Sequence, residues 1–298
     1  MLSDDARMAR LKIASSYDET WLEIERPQPL CDDYLESLFS TVLKGFNGSN
    51  IDHSLHAHEV FKEKSQEYIF GSSLNVLTGI HKFPYVDLMI GCTQFIDNLY
   101  MKGEVQTLKG DYKYHQRLGN VPVDHYSLLE PEKNLIISVP QPSGSVHVDM
   151  QDILNYCYVN KIPVHIDGAW ITCSKNLYFD FDHPAIQSVG ISLSKGLGLG
   201  WNRIGLRWSK HKETDSISIM NDFHMECRML TIVANYILDN VEKDYFWIKY
   251  SHLNQKICDD FNLTPTHAIH IAKTKQDNIV GISPLLRYLI KNEADCNS

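Results

Sequence analysis

Between residues 130 and 210 the chain alternates short apolar runs with stretches of helical period. LIISV (135–139), IPVHI (162–166) and SVGISL (188–193) are nearly continuous in apolar residues, which marks strands buried on both faces. DMQDILNYCYVN (149–160), between the first two, has helical spacing with Asp149 as its N-cap. IGLRW (204–208) is a fourth strand, with antiparallel pairing expected. Strand, helix and strand in succession predict an α/β fold with a mostly parallel central sheet flanked by helices. In such sheets ligands bind beyond the C-terminal ends of the strands. Upstream, DDYLESLFSTVL (32–43) predicts a helix burying Tyr34, Leu35, Leu38 and Leu43, followed by the loop GFNGSN. From 215 to 260 the pattern is helical and aromatic-rich, with its apolar positions read as core. From NLTPTHAIHIAK onward a short α/β tail is expected. The resulting division is an N-terminal arm and helix (1–50), a large α/β domain (51–215), and a helical region with a short C-terminal α/β segment (216–298).

Composition narrows the class. The chain has 298 residues, 43% hydrophobic and 22% charged, as expected of a soluble globule with a sizeable core. A formal net charge of -9, with no stripe of Lys and Arg, argues against nucleic acid as a partner. Seven cysteines with no CxxC spacing fit a reduced, cytoplasmic protein better than a disulfide scaffold or a zinc site, and no metal is expected. The N-terminus MLSDDARMARLK lacks the apolar run of a signal peptide, and no stretch approaches the roughly 18 apolar residues of a membrane span.

The most informative segment is SLSKGLGLGWNRIG (192–205). A lysine stands among small residues at the end of a predicted strand, with an arginine eight residues on. Pyridoxal phosphate (PLP) chemistry needs an amine to hold the cofactor and donors for a phosphate carrying nearly two negative charges. Lys195 supplies the amine, and Ser192, Ser194 and Arg203 are candidate phosphate donors. Read alone, GLGLG is a tight turn or half of a dinucleotide fingerprint. A fingerprint, however, follows an early strand and opens a helix. This run comes late, and a strand follows it.

At these residues the chain resembles the fold-type I PLP-dependent enzymes, in particular the class I/II, aspartate aminotransferase-like family. A Ser three before the lysine and an Arg eight after it match that family's lysine signature, although Trp201 stands where a small or polar residue is usual. The resemblance implies Lys195 as the Schiff-base lysine, with Ser192 and Arg203 on the cofactor phosphate. HIDGAW (165–170) is similar to the family's strand-end Asp with an aromatic three residues on. Asp167 is thereby implied as partner of the pyridinium nitrogen. Trp170 takes the place of a Tyr that donates to the cofactor's phenolic oxygen, and indole can donate but cannot ionise. PQPSG (140–144) resembles the family's amide turn, with Gln141 in the Asn position. IGCTQFIDNLYM (90–101) resembles the turn that opens a helix onto the phosphate, placing Gly91, Cys92 and Thr93 there, Cys92 through its backbone N–H. GDYKYH (110–115) is similar to the segment that lays an aromatic over the cofactor ring, with Tyr112 as the stacker and Tyr114 in reserve. The resemblance spans roughly residues 88–208, and its force lies in the order of five motifs.

The resemblance implies an aminotransferase acting on an amino acid and a 2-oxo acid, and a homodimer with no membrane partner. Arg287, in GISPLLRYLI, is the candidate for the substrate carboxylate, and a surface arginine on an amphipathic helix is the equal alternative. Only 103 residues follow Lys195, short for the family's C-terminal region. Two other readings stay open: a PLP-dependent lyase, decarboxylase or racemase, and a non-catalytic binding module on the same fold. His165 faintly resembles a decarboxylase residue, but Ser194 precedes the lysine where those enzymes carry His, so His165 is read as a strand residue.

Overall fold

The computed structural model describes residues 29–45, 54–116, 120–199 and 202–296. Residues 1–28 of the N-terminal arm, most of the GFNGSN loop, and Trp201 lie outside these residues. In chain order the first elements are α1 (Asp33–Gly45), α2 (Ser54–Phe70), β1 (Val76–Thr78), β2 (Tyr85–Met89), α3 (Cys92–Lys102) and β3 (Val105–Gln106). The middle of the chain forms β4 (Asn134–Ser138), α4 (Met150–Val159), β5 (Val164–Asp167), β6 (Tyr178–Asp180), β7 (Ile186–Ser192) and β8 (Gly205–Ser209). Then follow α5 (Ser216–Asp222), α6 (Arg228–Asn240), α7 (Tyr245–Asp260), β9 (Thr264–Pro265), β10 (Ile271–Lys273), β11 (Ile279–Gly281) and α8 (Ser283–Cys296).

A six-stranded sheet in the order β2-β8-β7-β5-β4-β3 carries the fold. Strands β3, β4, β5 and β7 run parallel, and β8 runs antiparallel to both β7 and β2. This is the expected mostly parallel α/β sheet, with its return strand where IGLRW was read. Every residue of β5 and β8 is buried, as are the last four of β4, so alternation is absent because both faces are covered. The sheet's buried polar side chains include an internally paired histidine. His165 meets Ser188 Oγ at 2.7 Å and Asn134 Oδ1 at 3.1 Å, and burial pushes its ring down to about 3. It is a strand residue, as expected.

Two helix starts refine the sequence reading. Asp32 caps α1, accepting the Leu35 N–H at 2.9 Å, while its other oxygen accepts the hydroxyls of Tyr245 and Tyr250 at 2.7 and 2.6 Å. That carboxylate ties α1 to α7. Leu35 and Leu38 are buried as expected, but Tyr34 and Leu43 are exposed at 41% and 53%. The mixed spacing overstated the width of the apolar face. Asp149 stands at the N-cap of α4 without a side-chain capping bond, and its own N–H donates to His147 Nδ1 at 3.0 Å.

The C-terminal α/β segment is the antiparallel sheet β11-β10-β9 with α7 and α8 beside it. It is joined to the large sheet's edge by Trp247 Nε1, which donates to the Cys173 carbonyl at 2.9 Å, and by a bridge between Ser174 and Ala268.

Arg207 of β8, which is 1% exposed, ties the sheet to α3 and α5. Its guanidinium donates to Asp215 at 2.5 Å, to Asp87 of β2 at 2.6 Å, to Ser218 of α5 at 2.7 Å and to Asn98 of α3 at 3.2 Å. Burial opposes the charged form of Asp215, but the bonds from Arg207 and Lys102 hold its carboxyl well below the usual carboxylate range. A buried ion pair adds little over an apolar replacement, yet losing one partner strands the other charge. Arg207→Met is therefore expected to lower stability by about 3–5 kcal/mol, measured by denaturant unfolding. The triple variant with Asp87→Asn and Asp215→Asn is expected to recover part of that loss. An Arg207→Met protein as stable as wild type would contradict this assignment.

Candidate active site

Parallel strands in register end at one level. Ser138 of β4 lies beside Asp167 of β5, which lies beside Gly190 of β7, and Met89 of β2 pairs with Gly205 of β8. The segments singled out in the sequence leave the sheet along this one edge.

The anion-binding end is built where β2 turns into α3. Gly91 is the N-cap of α3 at φ +92°, a backbone that L side chains rarely adopt. A Cβ there would lie 3.0 Å from Arg203 Nη2 and 3.3 Å from Ser192 Oγ, so the glycine also keeps open the space between those donors. Gln94 Oε1 accepts the Ile90 N–H at 2.7 Å and fixes the turn. Arg203 donates from Nη2 to Thr93 Oγ1 at 3.1 Å and from Nε to the Ile90 carbonyl at 3.3 Å. Ser192 Oγ donates to Ser194 Oγ at 2.8 Å and accepts the Ser194 N–H at 3.2 Å. Residues about a hundred positions apart thus place a guanidinium, hydroxyls and a helix N-terminus around one glycine, the arrangement that suits a phosphate. Cys92 is buried with its thiol donating to the Gly190 carbonyl at 3.4 Å. Burial, followed by the nearby Asp167 charge, pushes that thiol well up, so it stays neutral, consistent with a role through the backbone.

The acidic end centres on Asp167, 2% exposed at the last position of β5. Its Oδ2 lies 3.0 Å from His115 Nε2 and its Oδ1 accepts the Ala169 N–H at 3.0 Å. Burial acts to raise its pKa, but the His115 bond and charge outweigh it and keep the carboxyl low. His115 is itself fully buried, with Nδ1 3.5 Å from Asp111 Oδ1 but not hydrogen-bonded to it. Burial acts against the imidazolium, and the two carboxylates overcome it and raise its pKa. Asp111 is held in turn by the N–H groups of Tyr112 and Ser138 at 2.6 and 2.9 Å. Asp111 and His115 were missed in the sequence, although both lie in GDYKYH at a four-residue spacing. Tyr112 packs edge-on to His115, with ring centroids 5.6 Å apart, and stacks on Tyr114 at 6.2 Å.

Lys195 lies between these two ends. Its Nζ stands over the Trp170 ring, 4.5 Å from the centroid. Trp170 therefore presents its ring face to the amine. Burial lowers the Lys195 pKa, with Arg203 acting in the same direction, while Cys173, Asp167 and Cys92 partly oppose it. A buried amine with a depressed pKa is a nucleophile at lower pH than a surface lysine. Gln141 is half-buried in the turn after β4, which closes when the Gly144 N–H donates to its carbonyl at 2.8 Å. Arg287, on α8, is half-buried, and its charge acts on Cys31 just ahead of α1. A side chain at Gly198, three residues past the lysine, would also meet Cys31, 3.4 Å from its Sγ. The structure thus gathers Gly91, Cys92, Thr93, Ser192, Ser194 and Arg203 at one end and Asp167 with Tyr112 at the other.

No protein-family model matches this chain, and no curated protein matches it in sequence. Solved structures do match its fold. An aromatic aminotransferase from Pyrococcus horikoshii shares 15% identity, covers 83% of this chain and 78% of its own, and superposes with a TM-score of 0.56. A phosphoserine aminotransferase from Cytophaga hutchinsonii shares 10% identity over 90% of this chain and 97% of its own, also at 0.56. A PLP-bound C-S lyase from Staphylococcus hominis shares 13% identity over 82% and 73%, at 0.53. The chain therefore has the fold of the fold-type I PLP-dependent aminotransferases.

Proposed function

We propose that this protein is a PLP-dependent aminotransferase that moves an amino group between an amino acid and a 2-oxo acid, with Lys195 as the cofactor lysine. The observation that carries the reading is the placing of a buried, pKa-lowered amine between a cradle for an anion and a buried, ionised carboxylate. The residues fit the cofactor. Gly91, Cys92 and Thr93 at the α3 N-terminus, with Ser192, Ser194 and Arg203, would hold its phosphate. Asp167 would hold its ring nitrogen, Tyr112 its ring face, and Lys195 its aldehyde carbon, while Gln141 and Trp170 border the phenolic side. When bound, PLP supplies an electron sink for the carbanion that forms at a substrate's Cα.

The remaining work falls to the chain. Asp167 stays ionised because His115 gives it a charged partner, so a proton on a ring nitrogen beside it is stabilised. His115 is a positioning residue, held in turn by Asp111. Lys195 Nζ, once free, would take the proton from Cα, and its lowered pKa leaves more of it as free base than a surface lysine keeps at the same pH. For the substrate carboxylate the sequence offered Arg287, which lies on α8. The reading includes a homodimer, supported by Ile90 and Met101, exposed at 47% and 78% on a cavity of about 410 Å3 that Thr93 and Arg203 also line. No helix among the described residues is long and apolar enough to cross a membrane.

Four measurements test the reading. Purified protein mixed with PLP should develop a visible absorption band that Lys195→Ala lacks, and wild type that takes up no PLP would refute the proposal. Added amino acids should convert the cofactor to pyridoxamine phosphate. Product release with the cofactor unchanged would mark a lyase or decarboxylase, and an unmoved spectrum a non-catalytic module. Arg203→Met should weaken PLP binding about tenfold or more, the loss expected for a charge-assisted hydrogen bond, while leaving pyridoxal, which has no phosphate, nearly unaffected. The rate of PLP uptake should rise with pH and level off below the pH at which a small-molecule lysine analogue levels off, because burial discharges Lys195 earlier. A plateau at the analogue's pH would place Lys195 in solvent.

A further inference from the structure

His270 has no assigned part in this reading, and it stands beside the proposed cofactor lysine. It is fully buried, and neither ring nitrogen has a hydrogen-bond partner among the described residues. An unpaired imidazole in the interior forfeits the hydration it would have in water, so such a group calls for a partner from elsewhere. Its ring lies edge-on to Trp170, with centroids 5.6 Å apart, and Trp170 is the same ring that Lys195 Nζ stands over. Lys195 is also the charged group whose field reaches His270, adding to the effect of burial and holding the ring neutral at about 3.

The backbone around His270 is anchored on three sides. The Ile269 N–H donates to the Cys173 carbonyl at 3.1 Å, behind Trp170. The Ile282 N–H, at the start of α8, donates to the His270 carbonyl at 2.8 Å. Upstream, Thr266 packs so closely on the Gln141 turn that a Cβ at Gly144 would lie 2.7 Å from its Oγ1. The segment Thr266–His270 thus spans from the amide turn after β4 to the turn that carries Trp170, and it sets an imidazole with open hydrogen-bonding capacity against the ring that Lys195 Nζ stands over.

We propose that His270 is a substrate-binding residue whose imidazole donates a hydrogen bond to the carboxylate of the amino acid or 2-oxo acid held at Lys195. The carboxylate is the group that every such ligand brings, and it is an acceptor that a buried N–H can satisfy. This deepens the aminotransferase reading and rests on it. It assigns carboxylate recognition to the C-terminal segment through an imidazole, whereas the sequence pointed to the guanidinium of Arg287.

The test uses PLP-loaded wild type, His270→Gln and His270→Phe, titrated with L-alanine, L-glutamate and L-phenylalanine and with the carboxamide of each. The readouts are the visible spectrum and calorimetry. All three proteins should take up PLP alike. His270→Phe should bind the amino acids about ten- to a hundredfold more weakly than wild type and no longer prefer them over their carboxamides. His270→Gln, which keeps a donor, should recover part of that preference. In wild type the ring nitrogen resonances of His270 should shift on adding the preferred amino acid but not its carboxamide, a readout that survives if a variant fails to fold. Unchanged affinity and preference in His270→Phe, or unshifted resonances, would overturn this role while leaving the cofactor reading intact. Failure of wild type to take up PLP would overturn both, and the PLP arm separates the two failures.

Discussion

The charge on Asp167 must be kept where water cannot reach it, and much of the site follows from how that is done. A carboxylate at 2% exposure would ordinarily take up a proton. Here the Ala169 N–H and the His115 ring hold it ionised, and His115 holds its own proton because Asp111 flanks its other side. The chain of acid, imidazole and acid runs from the loop after β3 to the end of β5, with β4 between them, and the Ser138 N–H at the end of β4 supports Asp111. Three neighbouring parallel strands must end at one level for this to exist. The same level places Lys195, at the next strand along, near enough to feel the Asp167 charge.

The second requirement is opposite in sign. An anion-binding cradle needs donors gathered without a carboxylate among them. Gly91 provides the opening, and Arg203, Thr93 and Ser192 surround it, because β2 and β7 both flank β8 and so bring their ends together. The antiparallel β8 is what lets Arg203, just before it, return to that edge. The same strand carries Arg207, which binds Asp87, Asp215, Asn98 and Ser218. One strand thus serves the site at its beginning and the core in its middle.

Much of this was legible in the sequence. The unbroken apolar runs at 135–139, 162–166 and 188–193 marked doubly covered strands, and β4, β5 and β7 are found there. The helix over 149–160 and the return strand at 204–208 were equally clear. Asp167 and Lys195 were singled out because their segments resemble the family's motifs; alone, each reads as an ordinary strand-end or turn residue. The capping of α1 by Asp32, its tie to Tyr245 and Tyr250, and the exposure of Tyr34 and Leu43 were not legible, since they depend on which neighbour covers which face.

The sequence by itself determined the α/β class, the mostly parallel sheet and the order of the chemistry-bearing turns, because strand burial and turn composition are local properties. Tertiary structure alone decided the pairings. That His115 rather than solvent supports Asp167, that Trp170 offers Lys195 its face, and that His270 comes in from the C-terminal segment with both nitrogens unpaired are contacts between residues roughly 25 to 100 positions apart. A lone histidine in an apolar run reads as core from its neighbours in sequence. Only the packing of one segment against another shows whether its hydrogen bonds have been met.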